Sequence, residues 1–148
     1  MGLGIICSNL TKSIGSYNEV GLLKKDLIDS TIKLLKIDEV QDENTLRCIN
    51  YLKDFISDKG IIYSNFSIDI NNILSLYNLN GIITFIMKTE NNNVMSPGES
   101  VDFMCSIDKL KKYISKKYFV NNIKSAENFY LSKIFMLSIK NFICVEFF

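Results

Sequence analysis

The 148-residue sequence contains no histidine. Histidine is the usual general base near neutral pH, the commonest metal ligand and the ordinary partner of a catalytic serine or cysteine. Its absence excludes Ser-His-Asp hydrolases, Cys-His hydrolases and the common zinc enzymes. We therefore predict a protein that is not an enzyme, with no catalytic residue, no metal and no cofactor. The alternative is a small enzyme that uses a cysteine or a pair of carboxylates.

Arginine is almost absent as well, because Arg47 is the only one, and the net charge is +1. Bidentate recognition of phosphate or carboxylate depends on the planar guanidinium group, and a near-neutral chain has no strong field for polyanions. These observations predict neither a nucleic-acid partner nor a membrane partner. No apolar run approaches the roughly 18 residues of a membrane span, and the N-terminal segment lacks the basic region of a secretory leader. We expect a cytoplasmic protein.

The four cysteines stand far apart and form no CxxC pair: Cys7, Cys48, Cys105 and Cys144. This spacing does not fit a zinc ribbon or a thioredoxin-like motif. We predict free thiols, buried as small apolar side chains, rather than two disulfides. Gly2 and Cys7 together have the outline of a lipid anchor, but Ile6 stands where that motif requires serine or threonine.

The only proline, Pro97, lies in Ser96-Pro97-Gly98-Glu99. Serine at an N-cap, proline at the first helical position and glutamate three residues after the cap are typical of a helix start. Phe103, Ile107 and Leu110 then follow at helical spacing. The sequence predicts a helix from Ser96.

The remaining pattern predicts a helix-dominated α+β domain spanning residues 1–148, with about four helices and a small sheet. A second capping box, Ser16 with Glu19, predicts a helix over 16–36. The other two helices are expected from 42 to about 60, with Gly60 as the closing residue, and from a cap at Ser125 to Asn141. Strands are expected at 3–7, 82–87 and 142–148, with a turn at 13–15. Residues 61–63 suggest a further short strand, and 66–77 fit neither helical nor strand periodicity.

Charged side chains of the first helix define its expected solvent face: Lys24, Lys25, Asp26, Asp29 and Lys33. A second basic group, Lys109, Lys112 and Lys116, would share one face of the third helix and is our candidate interaction surface. Lysines near a helix C-terminus also complement the helix dipole without any partner. A solvated face therefore explains the same pattern.

The adjacent carboxylates Asp38-Glu39 and Asp42-Glu43 flank an expected helix start, where acidic residues are favoured irrespective of catalysis. Glu90 with the following Asn91–Asn93 run has too few carboxylates for a calcium loop. The glycines form neither GxxxxGK[ST] nor GxGxxG. These patterns give no site for a metal, a cofactor or a nucleotide.

Asn80-Gly81, followed by the apolar run 82–87, resembles the central motif of viral Bcl-2-like proteins. The tryptophan and arginine customary around that glycine are missing here. The resemblance implies that 82–87 is helical and that the chain forms an all-α bundle, which takes an amphipathic partner helix in a groove. The abundance of isoleucine, lysine and asparagine is typical of an AT-rich genome, which many low-GC bacteria, protists and large DNA viruses have.

An ample apolar core, 47% of residues being hydrophobic, is thus combined with no set of residues for chemistry. We predict a non-catalytic intracellular domain that binds another protein, of the inhibitor, immunity or adaptor type. The viral Bcl-2-like bundle and the small enzyme stay open as alternatives.

Overall fold

A computed structural model describes residues 2–37, 42–90, 93–114 and 126–148. These residues form a helix-dominated α+β fold with a small antiparallel sheet. In chain order the elements are β1 (Gly2–Cys7), β2 (Leu10–Ser16), α1 (Tyr17–Ile37), α2 (Glu43–Phe55), α3 (Ile68–Ser75), α4 (Asn80–Lys88), β3 (Val94–Met95), α5 (Pro97–Leu110), α6 (Ala126–Asn141) and β4 (Val145–Phe147). No helix within the described ranges is long and apolar enough to cross a membrane.

The described ranges contain six helices rather than about four, and the prediction of a strand at 82–87 is wrong. These residues belong to α4, which is buried on nearly every side, so its sequence lacks the polar positions that would reveal a helical period. Gly81 allows α4 to touch α5 directly, because a Cβ atom there would lie 2.3 Å from the Asp102 carbonyl oxygen.

The sheet has the strand order β2-β1-β4-β3, and all its pairs are antiparallel. The expected strands at 3–7 and at the C-terminus are confirmed as β1 and β4. The expected turn at 13–15 is wrong, because these residues lie within β2 and the β1–β2 turn is at Ser8-Asn9. The register shifts between Leu3 and Gly4, as at a β-bulge, which explains how Gly15, with φ of +148°, fits inside a strand. The sheet contradicts the all-α alternative.

The helix starts that local side chains specify are confirmed. Ser96 Oγ accepts a hydrogen bond from the Glu99 N–H at 3.1 Å, and the Ser96 N–H donates to Glu99 Oε1 at 2.9 Å. Ser16 and Glu19 form the same reciprocal capping box before α1. The expected cap at Ser125 lies outside the described residues.

An aromatic cluster joins the C-terminal half of the fold. The Phe85 ring of α4 stacks on Phe103 of α5, with the ring centroids 4.3 Å apart. Its edges meet Phe135 of α6 at 6.2 Å and Phe147 of β4 at 5.8 Å. Since each ring comes from a different element, this cluster fixes α4, α5, α6 and β4 relative to one another.

Candidate binding surface

Large apolar side chains are exposed on residues 61–68, which lead from α2 into α3 and which we call the apolar segment. They are Ile61, Tyr63, Phe66 and Ile68, and their exposed fractions range from 42% for Phe66 to 73% for Tyr63. Scattered exposed apolar residues are common on folded proteins, whereas four within eight residues are a concentrated patch. The apolar segment is our candidate binding surface.

The turn before the apolar segment is closed by its own hydrogen bonds. The Ser57 N–H donates to the Ile61 carbonyl oxygen at 2.8 Å, and Ser57 Oγ accepts from the Ile61 N–H at 3.0 Å. Ile56 and Ile62 form an isolated antiparallel bridge. The short strand expected at 61–63 is therefore reduced to one bridge, and the turn presents Ile61 in a fixed position.

Three hydrogen bonds shorter than 3.0 Å hold the middle of the apolar segment against α2. They run from the Tyr63 N–H to the Phe55 carbonyl oxygen (2.8 Å), from Ser64 Oγ to the Asp54 carbonyl oxygen (2.9 Å) and from the Tyr51 hydroxyl to the Asn65 carbonyl oxygen (2.7 Å). Backbone hydrogen-bonding groups point toward the fold here, while the apolar side chains face water. The segment is an ordered surface, although of its residues only Ile68, the first residue of α3, belongs to a helix or strand.

Two glycines lock this turn against α1. A Cβ atom on Gly21 of α1 would lie 2.0 Å from the Lys59 carbonyl oxygen, and one on Gly60 would lie 2.4 Å from the Gly21 carbonyl oxygen. Gly60 also has φ of +81°, a conformation that favours glycine. We expected Gly60 to close α2, but α2 ends earlier, at Phe55. Gly60 instead provides the positive φ of the turn that follows α2.

A cleft of about 480 Å³ opens beside this contact, between α1, residues 59–62 and the end of α4. Its apolar lining comes from Leu3, Tyr17, Val20, Ile61, Ile62 and Met87. Lys24, Lys59 and Glu90 supply its charged side chains. Ile61 belongs to both the cleft and the apolar segment, so the two features adjoin.

Lys24 is the only buried charged residue in the part of the chain that the structure describes. Its Nζ lies 2.5 Å from Glu90 Oε1, and the two side chains are 8% and 44% exposed. We placed Lys24 on the solvent face of α1, which is wrong. It follows Val20 by four residues and precedes Leu27 by three, so helical spacing puts it on the buried face, and this spacing was the available signal.

The predicted lysine surface is only partly described. Lys109 Nζ lies 5.9 Å from the centroid of the Tyr77 ring, and Lys112 Nζ lies 5.7 Å from that of Tyr113. Helix α5 ends at Leu110, so Lys112 stands in the turn beyond it and not on a shared helical face. Lys116 lies outside the described residues. An interaction role for these lysines stays a prediction.

All four cysteines are free thiols, as predicted, but only Cys7 and Cys48 are buried. Burial raises the pKa of Cys7 above its ordinary value and that of Cys48 to about 11. The expected burial of Cys105 and Cys144 is wrong. Cys105 falls between the inward positions of α5, and Cys144 directly precedes the buried first residue of β4, so both point outward.

Among the carboxylates considered for the enzyme alternative, Asp42 has a structural role as the N-cap of α2. Asp42 Oδ1 accepts the Thr45 N–H at 2.8 Å, and this hydrogen bond lowers the pKa of Asp42. Asp38 and Glu39 lie outside the described residues. Within the described ranges, no three histidine, cysteine, aspartate or glutamate side chains cluster as metal ligands would.

Comparison with known proteins gives no further assignment. No protein-family model, no curated protein sequence and no solved structure matches this chain. The helical state of 82–87 agrees with what the Bcl-2-like motif implied, but the four-stranded sheet does not belong to an all-α bundle. Function is therefore inferred from the surfaces of this chain.

Proposed function

We propose that this chain is a non-catalytic domain that binds another protein through the apolar segment, as an inhibitor, immunity or adaptor protein does. The observation that carries the proposal is the exposure of four large apolar side chains on one ordered stretch. Contiguous exposed apolar surface on a folded protein marks an interaction site, because water contact with it is unfavourable.

The order of the segment supports binding. Association normally costs free energy for immobilising loops and side chains, about 0.5–1.5 kcal/mol for each flexible side chain. Here the backbone is already fixed by its hydrogen bonds to α2, so part of that cost is met during folding. Tyr63 is the most exposed member, and tyrosine is enriched among residues that dominate interface energies.

The charges around the apolar segment favour a protein over a polyanion. Two lysines and two aspartates precede its start, so both signs are present: Lys53, Asp54, Asp58 and Lys59. Nucleic acids and anionic membranes select clusters of one positive sign, whereas protein interfaces combine an apolar centre with a mixed polar rim. The partner we propose is a protein with a complementary apolar patch.

The test compares co-purification of partners from the native cells for three forms of the chain. The double variant Tyr63→Ser/Ile68→Ser removes two members of the apolar segment. Met136→Ser is the matched control, because Met136 is also an exposed apolar residue, 53% exposed, but lies on α6. A specific partner should be retained by the wild type and the control and fall at least tenfold with the double variant.

Both variants should keep the wild-type melting temperature, since surface substitutions usually change stability by less than about 0.5 kcal/mol. Equal retention of the partner by all three forms would contradict the proposal. So would self-association of the purified wild type through this patch, detected by sedimentation and abolished by the double variant, because the occupant would then be a second copy.

A further inference from the structure

The cleft beside α1 contains the buried ammonium group of Lys24, and only part of its hydrogen-bonding capacity is used by the described residues. A lysine ammonium group has three donors, and a buried ammonium group requires compensation by hydrogen bonds or by an opposite charge. Among the described residues, Lys24 Nζ contacts a single carboxylate, that of Glu90. Two donors of Lys24, which also lines the cleft, are thus left for another acceptor.

Glu90 is an exchangeable partner for Lys24. Its side chain is 44% exposed, whereas that of Lys24 is 8% exposed. If another carboxylate took its place, the Glu90 side chain could return to water with little loss of solvation, while Lys24 would stay neutralised. The present contact also demonstrates that a carboxylate oxygen reaches Lys24 at hydrogen-bond distance, 2.5 Å.

The size and the lining of the cleft indicate what kind of molecule would fit beside Lys24. Its volume of about 480 Å³ falls in the range of small-ligand sites, about 300–1,000 Å³, and aliphatic and aromatic side chains form most of its lining. Lys24, Lys59 and Glu90 leave one positive charge in excess. One excess positive charge matches a carboxylate, with one negative charge, better than a phosphate ester, which carries about −1.5 to −2 charges at pH 7.

We infer that the cleft binds a small amphipathic carboxylate, an organic acid whose apolar chain lies along α1 and residues 61–62 and whose carboxylate replaces Glu90 on Lys24. This site shares Ile61 with the apolar segment, but its charged anchor, Lys24, lies outside that segment, so the two binding roles can be tested independently. The domain would then bind a small molecule in addition to a protein.

The experiment uses decanoate as the probe and decan-1-ol as its uncharged counterpart, with binding followed by amide chemical shifts of the wild-type protein. Decanoate should give saturable shifts at residues 20–24 and 87–90, and decanol should bind at least fivefold more weakly. Absence of saturable shifts at these residues, or equal affinity for the two probes, would overturn the inference. This arm requires no substitution and is unaffected by folding defects.

Two variants test the exchange itself. Glu90→Gln removes the competing carboxylate and should raise the affinity for decanoate at least threefold. Lys24→Met keeps an unbranched side chain, one atom shorter, loses the ammonium group and should lower that affinity at least tenfold. Unchanged affinity in folded Lys24→Met, or weaker binding to Glu90→Gln, would refute the assignment. The Tyr63→Ser/Ile68→Ser variant should bind decanoate normally, so failure here and failure of the proposed protein-binding role are distinguishable.

Discussion

Replacing Gly21 by alanine is expected to separate α1 from the turn that supports the apolar segment. The new Cβ atom would lie 2.0 Å from the Lys59 carbonyl oxygen, so the two backbones must move apart by about 1 Å to reach the 3.0 Å below which such contacts essentially never occur. Overpacking of this kind costs about 1–3 kcal/mol, and a backbone obstacle places this site at the upper end. Alanine's better helix propensity returns about 1 kcal/mol.

The net expectation for Gly21→Ala is a loss of about 2 kcal/mol in the free energy of unfolding, measured by urea titration with the m-value held in common. For a chain of this size that corresponds to a fall of about 4–8 °C in melting temperature. Gly98→Ala is the matched control, because the atom nearest to its added Cβ is Ser96 Oγ at 3.9 Å. It should be stabilised by up to about 1 kcal/mol. If Gly21→Ala proved as stable as Gly98→Ala, the close contact between α1 and the turn would be refuted.

Three further predictions concern the core, the thiols and the capping box. Phe85→Ala should lower the free energy of unfolding by about 3–5 kcal/mol in a urea titration, because it removes the ring that contacts three other elements. The control Phe142→Ala, at an 85% exposed position, should change it by less than about 0.5 kcal/mol. Equal effects of the two variants would contradict the aromatic cluster. A thiol reagent at pH 8 should label the two exposed cysteines quickly and the two buried ones only on unfolding, and four equally fast thiols would disprove the assigned burial. The Ser16 N–H donates to the Glu19 carboxylate at 2.6 Å and lowers the pKa of Glu19. The stability that this hydrogen bond contributes is complete above the unfolded pKa of about 4.3, and it is lost as the pH falls through the lower folded pKa. Glu19→Gln should therefore melt below the wild type at pH 7 and converge with it near pH 2, and a constant difference across that range would exclude this cause.

Local features of the fold could be predicted from the sequence because they depend on neighbouring residues. The capping boxes at Ser16 and Ser96 each need only two side chains three residues apart, and both form as expected. Helix α4 was missed for the opposite reason. Its identity depends on burial against α5 and the aromatic cluster, and a helix buried all round has the same composition as a buried strand.

The candidate sites were harder to predict than the helices. The residue types of the apolar segment are typical of a buried core, and nothing in the local sequence shows that Tyr63 and Ile68 face water. That outcome is set by the hydrogen bonds that turn the backbone inward toward α2. Lys24 could have been assigned from helical spacing, but its partner Glu90 is 66 residues away, and only the fold brings the two together.

The most direct test of the account is photo-crosslinking in the native cells from a benzophenone amino acid placed, in separate proteins, at positions 63, 68 and 136. The account predicts one discrete crosslinked protein shared by positions 63 and 68 and absent at position 136. A crosslink to a second copy of the chain, no crosslink at 63 and 68, or an identical pattern at all three positions would contradict the claim that the apolar segment binds a protein partner.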